Sequence, residues 1–261
     1  MNLARASIVV RQRGVLEVLD LACRFVVERG SSLYLRLAAL VLLPCVAFTF
    51  ALARFFEWSW FWVWVVALPL GSVAQAPFTI AVGRLMFSEQ VAARAVLAQL
   101  ARRSGALLGA LFLARLLIVL AWTVVVLAPF AWVRSAFTHE AVLLEGASAR
   151  EAVGRAARFV HGHGRTTFEM LLCHLCVVGG AIAVGEAAGH GLLGFVLQLG
   201  EPFGSIGDGG SLYALCGFFA AAPLVATARF LAYVDARTRR DGWDVQVRFM
   251  ALAAAEEERV A

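Results

Sequence analysis

The chain has 261 residues, of which 61% are hydrophobic, and its formal net charge is +5 at pH 7. Soluble domains are only about 45–50% apolar, so the composition excludes a single soluble core and indicates that the surplus apolar surface faces lipid. All 23 basic residues are arginines and lie mainly between apolar runs, as the positive-inside rule produces, so we predict no nucleic-acid partner.

The N-terminal segment predicts an interfacial helix rather than a secretion signal. Residues 1–14 lack the apolar stretch and the small-residue cleavage site of a signal peptide, so we expect the N-terminus to stay in the cytoplasm. Residues 13–29 then place Val15, Val18, Ala22 and Phe25 on one helical face. We expect this amphipathic helix to lie on the inner leaflet or to dock on a partner.

Six apolar runs follow, and they predict six transmembrane helices at about 20 residues a span. They cover residues 33–54, 58–82, 105–128, 130–145, 166–186 and 210–234. The fourth run is the shortest and Pro129 separates it from the third, so we expect 105–145 to form a helical hairpin whose second arm is short or partly interfacial. Two more amphipathic helices are predicted at 88–103 and 148–163, and Ser148 and Glu151 have the spacing of a capping box at the start of the second. The fold class is therefore an all-α, polytopic membrane helix bundle with amphipathic interfacial helices, in which residues 1–242 form a single membrane domain and 243–261 a cytoplasmic tail.

Arginine placement predicts the orientation of the bundle. Most arginines fall at the start of the chain, before the third span, before the fifth span and after the sixth, whereas the opposite loops hold few. This asymmetry predicts that both termini face the cytoplasm. The Arg-, Ala-, Val- and Leu-rich composition suggests a bacterial source, so we expect a multi-pass protein of the bacterial inner membrane.

Three segments carry a family resemblance. They are residues 13–20 (RGVLEVLD), residues 145–152 (EGASAREA) with Arg155, Arg158 and Phe159 after them, and residues 233–244 (YVDARTRRDGWD). Together they resemble an uncharacterised six-helix family of prokaryotic integral membrane proteins, similar to the membrane domain attached to some glycerophosphoryl diester phosphodiesterases. The tail motif of that resemblance is matched at Asp235, Arg237, Arg239, Asp241, Gly242 and Asp244. Within it, Asp235 and Arg239 are spaced as a helical i,i+4 pair. The resemblance implies architecture and no phosphodiesterase activity, because the enzyme of that group is a separate fused domain.

Arg115 is the strongest candidate for a functional residue inside the membrane. It lies near the middle of the 105–128 run, too far from either end for its side chain to reach water, so we expect it to face the bundle interior and a partner. The other intramembrane candidates are Glu169, Glu140, Arg229 and His174. Two interpretations stay open: a structural ion pair of Arg115 with Glu169 or Glu140, and a polar cavity for transport.

Two further patterns have weaker interpretations. Cys173, His174 and Cys176 offer soft ligands, but the histidine points about 100° from the face that the cysteines share, so we predict no metal site. Beyond Gly242, apolar and polar residues alternate from Trp243 to Phe249, which predicts a strand that pairs with a partner or an interfacial segment.

No nucleophile with a base and no carboxylate pair stands out, so we predict a protein that is not an enzyme and needs no cofactor. The leading hypothesis is a scaffold or accessory subunit of a membrane complex, embedded in the lipid bilayer, with a protein partner in the membrane or at the cytoplasmic face. The alternative is a transporter or permease-like subunit with an Arg115-centred polar cavity.

Overall fold

A computed structural model describes residues 13–86, 91–199 and 202–241, and this part of the chain is helical without a strand. Eight helices, α1 to α8, follow one another in it. Helix α1 joins Val15–Phe25, Ser31–Leu37 and Leu43–Phe55 through the π-helical turns Val26–Gly30 and Ala38–Leu42; α2 joins Trp60–Ala74 and Ala76–Leu85; α3 is Ala93–Trp122; α4 is Ala128–Arg134; α5 is Thr138–Leu143; α6 is Ala149–Val160; α7 is Gly164–His190, extended by the π-helical turn Gly191–Val196; and α8 joins Leu212–Ala220 and Ala222–Asp241.

Five of these helical runs, α1, α2, α3, α7 and α8, are long and apolar enough to cross a membrane. Large apolar side chains such as Phe61, Phe112 and Val184 are exposed on their outer surfaces. Such an apolar surface is compatible with contact to lipid hydrocarbon. A helix can lie in that environment because it satisfies its own backbone polar groups. The prediction of an all-α architecture compatible with a multi-pass membrane protein is therefore confirmed.

Residues 130–145 do not form one continuous helix. The chain instead builds two short helices, α4 and α5, of seven and six residues. Pro129 lies in the first turn of α4, and every residue of α5 is buried, including the polar Thr138, His139 and Glu140. Because these consecutive polar groups need protein partners, α5 lies inside the bundle rather than against lipid.

Two of the three predicted interfacial helices are continuous with a predicted span. The amphipathic start of α1 runs without a break into its apolar part, and its buried face of Val18, Ala22 and Phe25 packs against α8 of the same chain. The predicted helix at 88–103 and the predicted span at 105–128 form the single helix α3, which ends at Trp122; residues 87–90 lie outside the described residues. Helix α6 is separate and begins with the predicted capping box of Ser148 and Glu151.

Polar contacts bring the ends of several helices together at one end of the bundle, which we call the arginine-rich end. The Arg13 amide donates to Asp235 Oδ1 at 2.8 Å, and Arg239 Nη2 donates to the Arg13 carbonyl at 2.7 Å. Arg103 Nη1 donates to the Gly146 carbonyl at 3.2 Å. Arg237 Nη1 of α8 lies 3.5 Å from Oε1 of Glu145, the residue before Gly146. The start of α1, the end of α8 and both ends of the segment from Arg103 to Gly146 therefore lie at the same end.

At the opposite end, α7 and α8 pack backbone to backbone. A Cβ added to Gly217 would lie 2.2 Å from the Ala181 carbonyl oxygen, so only glycine permits this approach. Glu186 of α7 accepts hydrogen bonds from the Ile206 amide, the Ser211 hydroxyl and His190 Nε2. One carboxylate thus holds the connection between these two helices.

Candidate functional site

A break in α2 at Gln75 lies at the centre of the bundle and presents polar groups to its neighbours. Ser72, Gln75 and Thr79 are spaced three and four residues apart, so they share one side of α2. Ser72 and Thr79 also donate to the carbonyls of Leu68 and Gln75, four residues earlier, which satisfies their hydroxyl protons locally. Their oxygens remain able to accept from other helices.

Arg229 of α8 makes the central contact of this cluster. Its Nε donates to Glu140 Oε1 at 2.8 Å, its Nη1 to Gln75 Oε1 at 2.7 Å and its Nη2 to Thr79 Oγ1 at 3.3 Å. Glu140 is 0% exposed, and its second oxygen, Oε2, has no hydrogen-bond partner within the described residues. The guanidinium therefore joins α2, α5 and α8 through one buried ion pair and two hydrogen bonds.

Arg115 of α3 makes a different contact at the same break. Its Nη2 donates to the Ser72 hydroxyl at 2.6 Å, and the Ser72 carbonyl accepts from His139 Nε2 at 2.8 Å. His139 precedes Glu140, so a continuous polar path runs from Arg115 to Arg229. Arg115 itself is exposed on the outer surface of α3, between the exposed apolar side chains of Phe112 and Leu116.

The structure assembles some of the sequence-predicted residues and separates others. Glu140 and Arg229 form a pair, whereas Arg115 pairs with neither of the two carboxylates that were expected. Glu169 instead accepts from Arg165 of its own helix at 2.9 Å on the exposed surface. His174 is buried, with no hydrogen-bond partner for Nε2 within the described residues.

The tail motif divides at the end of the described chain. Asp235 accepts from Arg239 Nε at 2.8 Å, the i,i+4 pair that the sequence predicts. Arg237 Nη1 donates to the Tyr233 hydroxyl at 3.0 Å and lies 3.5 Å from Glu145 Oε1. The structure does not describe the side chain of Asp241 or residues 242–261, which include Gly242 and Asp244 of the motif. The predicted tail strand therefore lies outside the described residues.

Four residues of the central cluster were missed from the sequence: Ser72, Gln75, Thr79 and His139. A signal for three of them was present, because their i, i+3, i+7 spacing in an otherwise apolar run marks a polar stripe that must face another helix. His139 adjoins Glu140, but nothing in the sequence shows that it reaches the backbone of a segment 67 residues earlier.

The chemistry of the cluster is that of charge burial and hydrogen bonding. The cluster contains two guanidinium groups and one carboxylate, which pairs with Arg229 alone, so it carries an excess of positive charge. In the described part of the chain, no three His, Cys, Asp or Glu side chains lie together as metal ligands would. Comparison of the chain with protein-family models, with curated proteins and with solved structures gave no match. The family resemblance of the sequence therefore stays a prediction.

Proposed function

We propose that this protein is a non-enzymatic scaffold or accessory subunit of a membrane complex in the bacterial inner membrane. The observation that carries the proposal is the exposed position of Arg115. A charged side chain in the middle of a lipid-facing helix costs about 3 kcal/mol or more. A partner helix that covered Arg115 and offered it an acceptor would remove that cost, and Ser72 supplies only a neutral hydroxyl.

We further propose six passages through the membrane with both termini in the cytoplasm. The contacts that join Arg13 to Asp235 and Arg103 to Gly146 favour an even number, because each joins two ends on one side. Helices α4 and α5 would then make the return from Trp122 as a broken passage. Alkaline phosphatase fused after residue 57 or 208 should be active, and fused after residue 241 inactive; active fusions after all three positions would contradict this orientation.

A photo-crosslinking residue placed in the membrane tests the proposed partner. At Phe112 or Val119, which flank Arg115 on the exposed side of α3, it should form a protein adduct in native membranes. At Leu175, exposed on α7, the same residue serves as the matched control and should capture mainly lipid. Arg115→Leu should abolish the adduct at Phe112 while leaving the protein folded.

The mass of the adduct distinguishes a second copy of this chain from a different subunit. Adducts of equal yield at Phe112 and Leu175, or an adduct at Phe112 that persists in Arg115→Leu, would refute an Arg115-centred contact. Purification in mild detergent, followed by identification of a stoichiometric companion protein, would identify the complex.

A transporter is the second candidate, and the polar path from Arg115 through Ser72 and His139 to the Glu140 and Arg229 pair favours it. Such a path could pass an anion or a proton across α2. Proteoliposomes should then release chloride or phosphate faster than protein-free vesicles, and Arg115→Leu should remove the difference without lowering the thermal stability. Equal release with and without the protein would reject this function for these ions.

A further inference from the structure

The arginine-rich end contains a cavity of about 220 Å³ between α6 and α8. Its lining comprises Glu145, Arg155, Arg158, Phe159, Arg237 and Arg240. Four guanidinium groups therefore face one space together with a single carboxylate. Like charges gathered around a cavity repel one another, and the arrangement is favourable only when enough negative charge balances them.

The one carboxylate is already occupied. Glu145 Oε2 accepts from Arg155 Nη1 at 3.3 Å, while Glu145 Oε1 accepts from the Tyr233 hydroxyl at 2.5 Å and lies 3.5 Å from Arg237 Nη1. Two of the four arginines are thus held by Glu145, and these contacts fix the wall of the cavity. The other two, Arg158 and Arg240, lie on the rim of the cavity.

Arg158 carries a charge that Glu145 does not balance. Arg158 is exposed and has no ion pair within the described residues. The Arg240 guanidinium lies 5.8 Å from the centre of the Phe159 ring, which positions it over the cavity wall by a cation–π contact. An anion that entered the cavity would meet donors on several sides.

We propose that this cavity, the arginine pocket, binds a phosphate group, carried either by the headgroup of an anionic phospholipid or by a free phosphate. Guanidinium groups bind phosphate oxygens in a bidentate manner, and several arginines around one phosphate group can donate to its different non-bridging oxygens. The volume is below the roughly 300–1,000 Å³ of drug-sized sites, which favours a small group over a nucleotide. The amphipathic helix α6 forms one wall, so the pocket opens where headgroups would lie.

The test uses the full chain purified in an uncharged detergent, with dioctanoyl phosphatidylglycerol, inorganic phosphate and dioctanoylglycerol as probes. Binding is measured by calorimetric titration and by the shift in melting temperature. The variants are Arg158→Gln and Arg240→Gln, with Arg102→Gln as the matched control, because Arg102 is an exposed arginine outside the pocket lining. The melting temperature of each variant without a probe reports whether it is folded.

Saturable binding of phosphatidylglycerol or of phosphate to the wild type and to Arg102→Gln, weakened about tenfold in Arg158→Gln, would support the pocket, since one charge-assisted contact is lost. If phosphatidylglycerol binds and phosphate does not displace it, the ligand is the lipid headgroup. If phosphate binds and phosphatidylglycerol does not, the ligand is a free phosphate. No saturable binding of either probe, equal weakening in Arg102→Gln, or equal binding of the phosphate-free dioctanoylglycerol would overturn the proposal. It does not depend on a protein partner at Arg115.

Discussion

The buried pair of Glu140 and Arg229 gives the sharpest prediction of stability. Glu140→Leu leaves the Arg229 guanidinium buried with only Gln75 and Thr79 as acceptors. Removing one member of a buried ion pair costs about 3–5 kcal/mol, because the other charge loses its compensation. Arg229→Met should cost at least as much, since it also removes the hydrogen bonds to Gln75 and Thr79.

The double variant separates charge compensation from packing. Glu140→Leu combined with Arg229→Met removes both charges, and replacing a whole buried pair by apolar residues is often close to neutral. We therefore expect the double variant to be more stable than either single variant, with a coupling free energy of about 2–3 kcal/mol. The unfolding free energy is measured in detergent by titration with a denaturing detergent, followed by circular dichroism.

The matched control is the exposed pair of Arg165 and Glu169, whose side chains are 92% and 46% exposed and whose N···O distance is 2.9 Å. Its geometry is as good, but water screens it, so Glu169→Leu should cost no more than about 1 kcal/mol. The reasoning would be refuted if Glu140→Leu cost as little as Glu169→Leu, or if the two single effects at Glu140 and Arg229 simply added in the double variant.

Three further substitutions test separate contacts by thermal unfolding or proteolysis in detergent. Gly217→Ala should destabilise by about 1–3 kcal/mol, because its Cβ would meet the Ala181 carbonyl oxygen, whereas Gly179→Ala, which meets open space, should not destabilise; equal effects would contradict the close packing of α7 and α8. Ser148→Ala should cost about 1 kcal/mol through the lost cap of α6, and no loss would show that the capping box is not stabilising. Glu186→Ala should speed protease cleavage within 202–211, since the carboxylate holds this segment, and an unchanged rate would argue against that role.

Hydrophobic length and period predict most of the helices, because they report directly on burial in lipid or protein. The capping box at Ser148 and the i,i+4 pair of Asp235 and Arg239 were also predictable, since both are local in sequence. The two short helices within 130–145 were not predicted, and the reason is physical. Helices that are buried in a bundle and helices that face lipid are both apolar, so hydropathy alone does not distinguish a pair of short buried helices from one short span.

The partners of the intramembrane charges were less predictable. Glu169 and Arg115 have suitable charges, but Glu169 already has Arg165 one turn away, and a local partner requires no tertiary contact. Arg115 donates instead to the neutral Ser72, 43 residues earlier on a neighbouring helix. The packing of the whole bundle determines which helices are neighbours. The periodicity of residues within one helix does not reveal those neighbours.

Two arginines contact the same break in α2, and their surroundings assign them different roles. Arg229 is buried, paired with Glu140 and bonded to two further side chains, so its charge is compensated within the chain and serves the fold. Arg115 is exposed, has a hydroxyl in place of a carboxylate and lies on a surface that is otherwise apolar. A charge that served only the fold would be stabilised best in the interior, as Arg229 is. The position of Arg115 on the outside is therefore best explained by a group that this chain does not supply, which is why the crosslinking experiment is directed at that side of α3.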